Sequence, residues 1–156
     1  MHDEFLRQIL GVTVRSTIPH GRVKSVRFEP DFPWSECVVV TAKDVPGKNC
    51  VAMIEEDQPL LVSELVMHPM EAVALIAHPS REKAYEALKH VTVEYEELPA
   101  VLTIEDSVAL KAVLRAPGNS FKDILIERGD LAAGFAQADL VVEGEYRTPA
   151  QEQAYI

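Results

Sequence analysis

Residues 73–99, VALIAHPSREKAYEALKHVTVEYEELP, change period twice. Residues 73–77 are an uninterrupted apolar run, the pattern of a strand buried on both faces. After Pro79 the spacing lengthens. Ser80 stands where a side-chain oxygen can accept from the first free N–H groups of a helix. Ala84, Ala87, Leu88 and Val91 follow at intervals of three and four, while Arg81, Glu82, Lys83, Glu86 and Lys89 take mostly the other face. The spacing predicts a helix over 81–89. Beyond His90 the period falls to two, with Val91, Val93 and Tyr95 alternating with Thr92, Glu94 and Glu96 until Leu98-Pro99 closes the run. The stretch therefore reads as strand–helix–strand, and a parallel crossover of this kind should be right-handed. It predicts an α/β (mixed α+β) domain with a mixed sheet and a few packed helices. The expected core includes Val39, Val73, Leu75, Val91 and Val93, with the helix seated through Ala84, Ala87 and Leu88.

Working outward toward the N-terminus, residues 12–16 and 23–28 read as short strands joined through Pro19 and Gly21, with Arg15, His20 and Arg22 on a solvated loop. An amphipathic lead-in over 1–11 precedes them, carrying Phe5, Leu6, Ile9 and Leu10 and stopped by Gly11. CVVVT at 37–41 has the β-branched content of a buried strand, and Thr41 can cap one helical turn over 42–44. Gly47 is solitary beside Lys48, so this loop lacks the closely spaced glycines that free several N–H groups for a phosphate. Toward the C-terminus, 102–112 reads as a loop and a short helix capped near Asp106 or Ser107. A β-like segment spans 121–128, and a helix near 130–138 is capped by Asp130. A terminal strand covers 140–146. After Thr148-Pro149 the chain runs out in AQEQAYI, leaving Tyr155 and Ile156 without partners in the pattern. The expected division is a domain over 1–147 and, over 148–156, the start of a connection into a missing domain, as in a truncated chain.

Composition narrows the function. Among 156 residues, 25 acidic against 15 basic leave a formal charge of −10, and no Lys/Arg cluster offsets it. Such a field repels nucleic acid and anionic lipid, so neither is an expected partner. No stretch approaches the roughly 20 apolar residues of a membrane span, and the first ten positions carry the acidic Asp3 and Glu4 where a signal peptide needs a basic start. The chain reads as cytoplasmic. Cys37 and Cys50 are too far apart in sequence for a CxxC metal or redox pair, which leaves a disulfide or two buried reduced thiols, the latter being the expectation. Glu94, Glu96 and Glu97 suggest an acid/base group, but their alternation fits a solvent-facing row on a strand. His68 and His78 bracket a strand with no ligand partner at metal spacing and read as strand-end polar residues. Nucleophile elbows, HExxH, EF-hand loops and GxGxxG are absent. The residues alone thus describe a mixed α/β domain without a visible active site, which leaves a non-catalytic binding or subunit-interaction module as the alternative to an enzyme part.

Several stretches taken in order resemble one family. GVTVRSTIPHGRVKSV, VVVTAKDVPGKN, EEDQPLL, EAVALIA, VTVEYEELPAV, RGDLAAGFAQADLVVEGEY and TPAQEQAY are similar to the N-terminal α/β hammerhead domain of the molybdenum-binding subunit in the xanthine dehydrogenase and aldehyde oxidase family. The resemblance covers residues 10–156 and lies in the ordered set. It implies an α/β hammerhead fold within a molybdenum hydroxylase. In such an enzyme molybdopterin-bound molybdenum transfers a water-derived oxygen to a purine, N-heterocycle or aldehyde carbon, and electrons leave through iron–sulfur clusters and FAD. The implied partners are the molybdopterin-binding domain of the same parent chain and iron–sulfur and FAD subunits or domains. The fragment itself is expected to be inactive, with no cofactor of its own. Carried over residue by residue, the family glutamine that approaches the molybdenum oxo group is Gln151. There are two departures. The family often has Gly-Glu-Pro where this chain has Met70-Glu71-Ala72, and a histidine where it has Gln153, which leaves subfamily and substrate open.

Overall fold

The computed structural model describes residues 9–51 and 56–151. Most of the lead-in expected over 1–11 therefore lies outside the described residues, while Leu10 and Gly11 open the first strand. The chain divides into two compact units, Met1–Ser120 and Phe121–Ile156.

Among the described residues the first unit contains six strands, β1 (Leu10–Arg15), β2 (Gly21–Phe28), β3 (Val38–Thr41), β4 (Leu65–Val66), β5 (Ala72–His78) and β6 (Val91–Glu97), and two α-helices, α1 (Arg81–Ala87) and α2 (Ile104–Val108). They form two three-stranded sheets, in the orders β1-β5-β3 and β4-β2-β6, and every ladder is antiparallel. The α/β class and the few packed helices are as the sequence indicates. The parallel crossover is not. β5 already has β1 on one side and β3 on the other, so its ladder groups are taken. Helix α1, prolonged by a 3-10 turn at Leu88–His90, instead carries the chain into β6 of the other sheet. β1 and β2 lie in different sheets. Between them Ser16 is buried, its hydroxyl donates to the Ile18 carbonyl at 2.8 Å, and Ile18 is buried as the chain changes sheets.

Local chemistry accounts for α1. The Ser80 hydroxyl accepts from the Lys83 N–H at 3.4 Å, and Ala84 and Ala87 form the buried face. Two alanines allow the helix to approach closely, and both join a core with Val12, Val14, Ala74 and Ile76. Along β5, Ala74, Ile76 and His78 are buried and Val73 is buried as well, whereas Leu75 is 39% exposed. Leu75 is thus not the core residue expected. The apolar run is buried mainly on one face because this sheet is covered on that side by α1. Val39, Val91 and Val93 are half-buried rather than central, since β3 and β6 lie at sheet edges. Val38 on β3 is 54% exposed, against the expectation of a buried strand.

Helix α2 starts earlier than expected. Thr103 is its cap, accepting from the Asp106 N–H at 3.1 Å, so Asp106 lies inside the first turn instead of preceding it. Thr103 stands directly before Ile104 with Asp106 three residues on, a cap pattern that the Asp-Ser pair following it obscures.

The second unit contains α3 (Leu131–Gln137), where the Asp130 carboxylate accepts from the Ala133 N–H at 2.9 Å. The face holding Leu131 and Phe135 is exposed. Residues 121–128 and 140–146 carry no ladder among the described residues, contrary to the two strands expected. Alternating apolar residues make a segment suitable for pairing, but a strand exists only when another backbone satisfies its N–H and C=O groups. Ile126 and Tyr146 are each 90% exposed in these segments.

Candidate functional site

Gln151 is the last described residue and is exposed. The remaining tail, with Gln153, Tyr155 and Ile156, lies outside the described residues.

The acidic row on β6 is a surface feature. Glu94 accepts from the Ser25 hydroxyl at 2.7 Å and pairs with Arg27 at 2.7 Å, both across the β2–β6 ladder, while Glu96 and Glu97 are exposed. Cross-strand pairing of this kind holds register and leaves no desolvated carboxylate for acid/base work.

The two strand-end histidines have structural partners. His68 is exposed, 3.8 Å from Glu71. Glu71 is buried and accepts from the Met67 N–H at 2.7 Å, bracing the turn in which Met70 has a φ of 68°. His78 is buried at the end of β5. Its Nδ1 accepts from the Ser80 N–H at 2.8 Å, which puts the ring proton on Nε2, 3.6 Å from Glu36. Lys83 approaches the same Glu36 carboxylate at 2.6 Å. The hydrogen bond and charge of Lys83 hold the Glu36 pKa below its usual value, and Glu36 in turn raises that of Lys83. Neighbouring Cys37 is pushed the other way, first by burial and then by the Glu36 charge, so its thiol stays protonated. Although this group combines Cys, His and Glu, it lacks a thiolate nucleophile. It ties the end of β5 and α1 to the segment leading into β3. Both cysteines are free and half-buried.

Arg15 and Arg22 are exposed, as expected, but they end β1 and open β2 instead of standing on the loop, and Arg15 and the half-buried His20 each meet a backbone carbonyl. Arg15 donates to the Met70 carbonyl at 2.8 Å, and His20 Nδ1 lies 2.7 Å from the Pro99 carbonyl, which fixes the loop after β1 to the end of β6. A further cluster has no counterpart among the sequence expectations. Glu29, Asp31 and His90 bring one ligand atom each within 4.8 Å of one another. Some sixty residues separate the carboxylates from the imidazole, so no local spacing reveals them.

A molybdopterin needs several convergent donors for its phosphate and pterin edges. Among the described residues, the buried side-chain polar atoms without a hydrogen-bond partner are His90 Nδ1 and the Tyr95 hydroxyl, the first of them facing two carboxylates. That environment repels an anionic cofactor, and exposed Gln151 alone makes no cradle. By themselves these residues do not fit a molybdopterin, and no reaction step is assigned to them. No helix among them is long and apolar enough to cross a membrane.

The profile described as "Aldehyde oxidase and xanthine dehydrogenase, a/b hammerhead domain" matches residues 3–99, more than half of the chain. The chain belongs to this family. It is 32% identical over 154 residues to a probable xanthine dehydrogenase subunit of Bacillus subtilis, covering 97% of this chain and 21% of that protein. It is 33% identical over 140 residues to the nicotinate dehydrogenase large molybdopterin subunit of Eubacterium barkeri, covering 86% and 32% respectively. The solved aldehyde oxidoreductase of Desulfovibrio gigas shares the fold with a TM-score of 0.75 at 24% identity, over 86% of this chain and 16% of its own. The hammerhead chain thus spans no more than about a third of these relatives.

Proposed function

We propose that this chain is the N-terminal hammerhead domain of a molybdenum hydroxylase of the xanthine dehydrogenase/aldehyde oxidase type, inactive by itself. The match of residues 3–99 to the family profile carries this reading. In the parent enzyme the molybdenum cofactor supplies oxidative hydroxylation of a purine, N-heterocycle or aldehyde with water-derived oxygen, and electrons pass to iron–sulfur and FAD partners. This chain's share is positional. Its 148–156 segment leads toward the molybdopterin-binding domain of the same parent chain, and the Gln151 amide donates a hydrogen bond near the molybdenum without ligating it. The exposure of Ile126, Leu140, Val142 and Tyr146 on β-patterned segments without a ladder supports a second domain that covers them.

The test uses the parent enzyme. Gln151→Ala should lower turnover while iron–sulfur content and melting stay unchanged, because one oriented donor is lost from the cofactor's surroundings. Unchanged turnover refutes the role of Gln151. The isolated 156-residue chain, given a purine or aldehyde substrate and an electron acceptor, should show no turnover, and sustained turnover would overturn the reading of the domain.

A further inference from the structure

We infer that Glu29, Asp31 and His90 form a binding site for a divalent first-row transition-metal ion, Zn2+ being the best fit, at the exit of β2. His90 Nδ1 is covered and has no hydrogen-bond partner, while the side chain as a whole is 25% exposed. It lies 3.5 Å from Glu29 Oε2 and 3.4 Å from Asp31 Oδ1. Both separations exceed the usual 2.7–3.2 Å range of an N–H···O bond. Ligand atoms about 2.1 Å from a common zinc ion stand about 3.4 Å apart, as these two pairs do, and the third pair, between the two carboxylates, lies within 4.8 Å.

The surroundings hold these atoms in place. The His90 ring stacks on buried Phe32 with centroids 5.0 Å apart and planes 30° apart, which aims Nδ1 at the carboxylates. The Glu29 N–H donates to the His90 carbonyl at 2.9 Å, and the Trp34 indole donates to the Glu29 carbonyl at 2.7 Å. β2 and β6 are paired up to Phe28↔Val91, directly beside the cluster. Both backbones are thus positioned before any ion arrives, and little ordering cost remains.

The donor set selects the ion. One imidazole with two carboxylates suits Zn2+ better than Mg2+ or Ca2+, which prefer all-oxygen shells, and it lacks the thiolates that attract soft ions. Among the described residues no Lys or Arg is paired with Glu29 or Asp31, so their two negative charges remain available to neutralise a dication, and the chain's net charge of −10 raises local cation concentration. Three protein ligands leave the fourth position to water. The bound ion would clamp the loop after β2 to the α1–β6 junction. This inference is independent of the molybdenum reading, because neither Gln151 nor the tail contributes to it.

The test is titration of the 156-residue chain with Zn2+ against a chromophoric chelator, together with the visible spectrum of the Co2+ form. One equivalent should bind, and the cobalt d–d bands should appear without thiolate charge transfer. Asp31→Asn, an exposed position, and His90→Gln should each weaken binding at least tenfold, and Asp31→Asn should leave the circular dichroism unchanged. The absence of saturable binding overturns the inference. So does binding that both variants retain, or a thiolate charge-transfer band, which would put the ion on Cys37 or Cys50.

Discussion

Replacing Ile76 and, separately, Leu75 by Ala tests how β5 is seated. Ile76 has no exposed surface and stands between Val12 on β1 and Val39 on β3, in the centre strand of its sheet. Cutting it to Ala removes three carbons from a site with a strand on each side and Ala84 and Ala87 in the same core cluster. Alanines already at the Cβ limit cannot fill the void, so the cost should fall in the upper part of the usual range, about 3–5 kcal/mol. Leu75 is adjacent but points to the opposite face and keeps 39% of its surface in water. Its truncation removes only partial burial and leaves no closed cavity, so about 1 kcal/mol is expected. Urea unfolding is the assay, followed by Trp34 fluorescence. Trp34 packs against Phe28 and Phe32 at 5.0 and 4.8 Å, so its signal reports on the first unit. A midpoint shift at constant slope gives each cost. Equal losses in the two variants would show that β5 is buried on both faces, and a larger loss for Leu75→Ala would show that its register is inverted.

Two backbone positions give further predictions. A methyl group added at Gly21 would lie 2.5 Å from Ile18 Cδ1 and 2.6 Å from the Glu96 carbonyl oxygen. The oxygen belongs to the paired strand and cannot withdraw without disturbing the β2–β6 ladder, so Gly21→Ala should cost about 1–3 kcal/mol in the same unfolding assay. A neutral result would mean that the two strands separate more easily than their pairing implies. Met70 has a φ of 68° and is 61% exposed, so it bears the left-handed penalty of about 1–2 kcal/mol with little burial in return. Met70→Gly should raise stability by about 0.5–1 kcal/mol once the extra entropy of an unfolded glycine is set against it. Met70→Ala should give no such gain, and a gain there would assign the effect to the side chain instead of the backbone. The same position is where the family pattern often has Gly.

Much of the local structure is legible in the sequence because its causes are local. Ser80 and Asp130 accept from N–H groups three residues on, and the spacing of Ala84 and Ala87 marks the buried side of α1, so these helices can be read from neighbouring residues alone. Thr103 escapes such a reading because Asp106 and Ser107 are equally plausible caps by type. Of the candidate site, Gln151 rests on an ordered family resemblance, and the described residues place it only as an exposed side chain. The Glu29, Asp31 and His90 cluster has no signature in spacing.

The sequence by itself determined which segments are helical or suited to an extended strand and, through seven motifs in order, the family. Propensity, capping and alternation act within a few residues, and homologous order survives without contacts. Tertiary structure alone decided how the strands are shared between two antiparallel sheets, because the partner of a strand depends on which backbone reaches its open edge in space, and both edges of β5 are filled by strands distant in sequence. It also decided that Leu75 faces outward and that 121–128 and 140–146 remain without a ladder among the described residues. An apolar side chain supplies a reason to be covered but does not specify the surface that covers it.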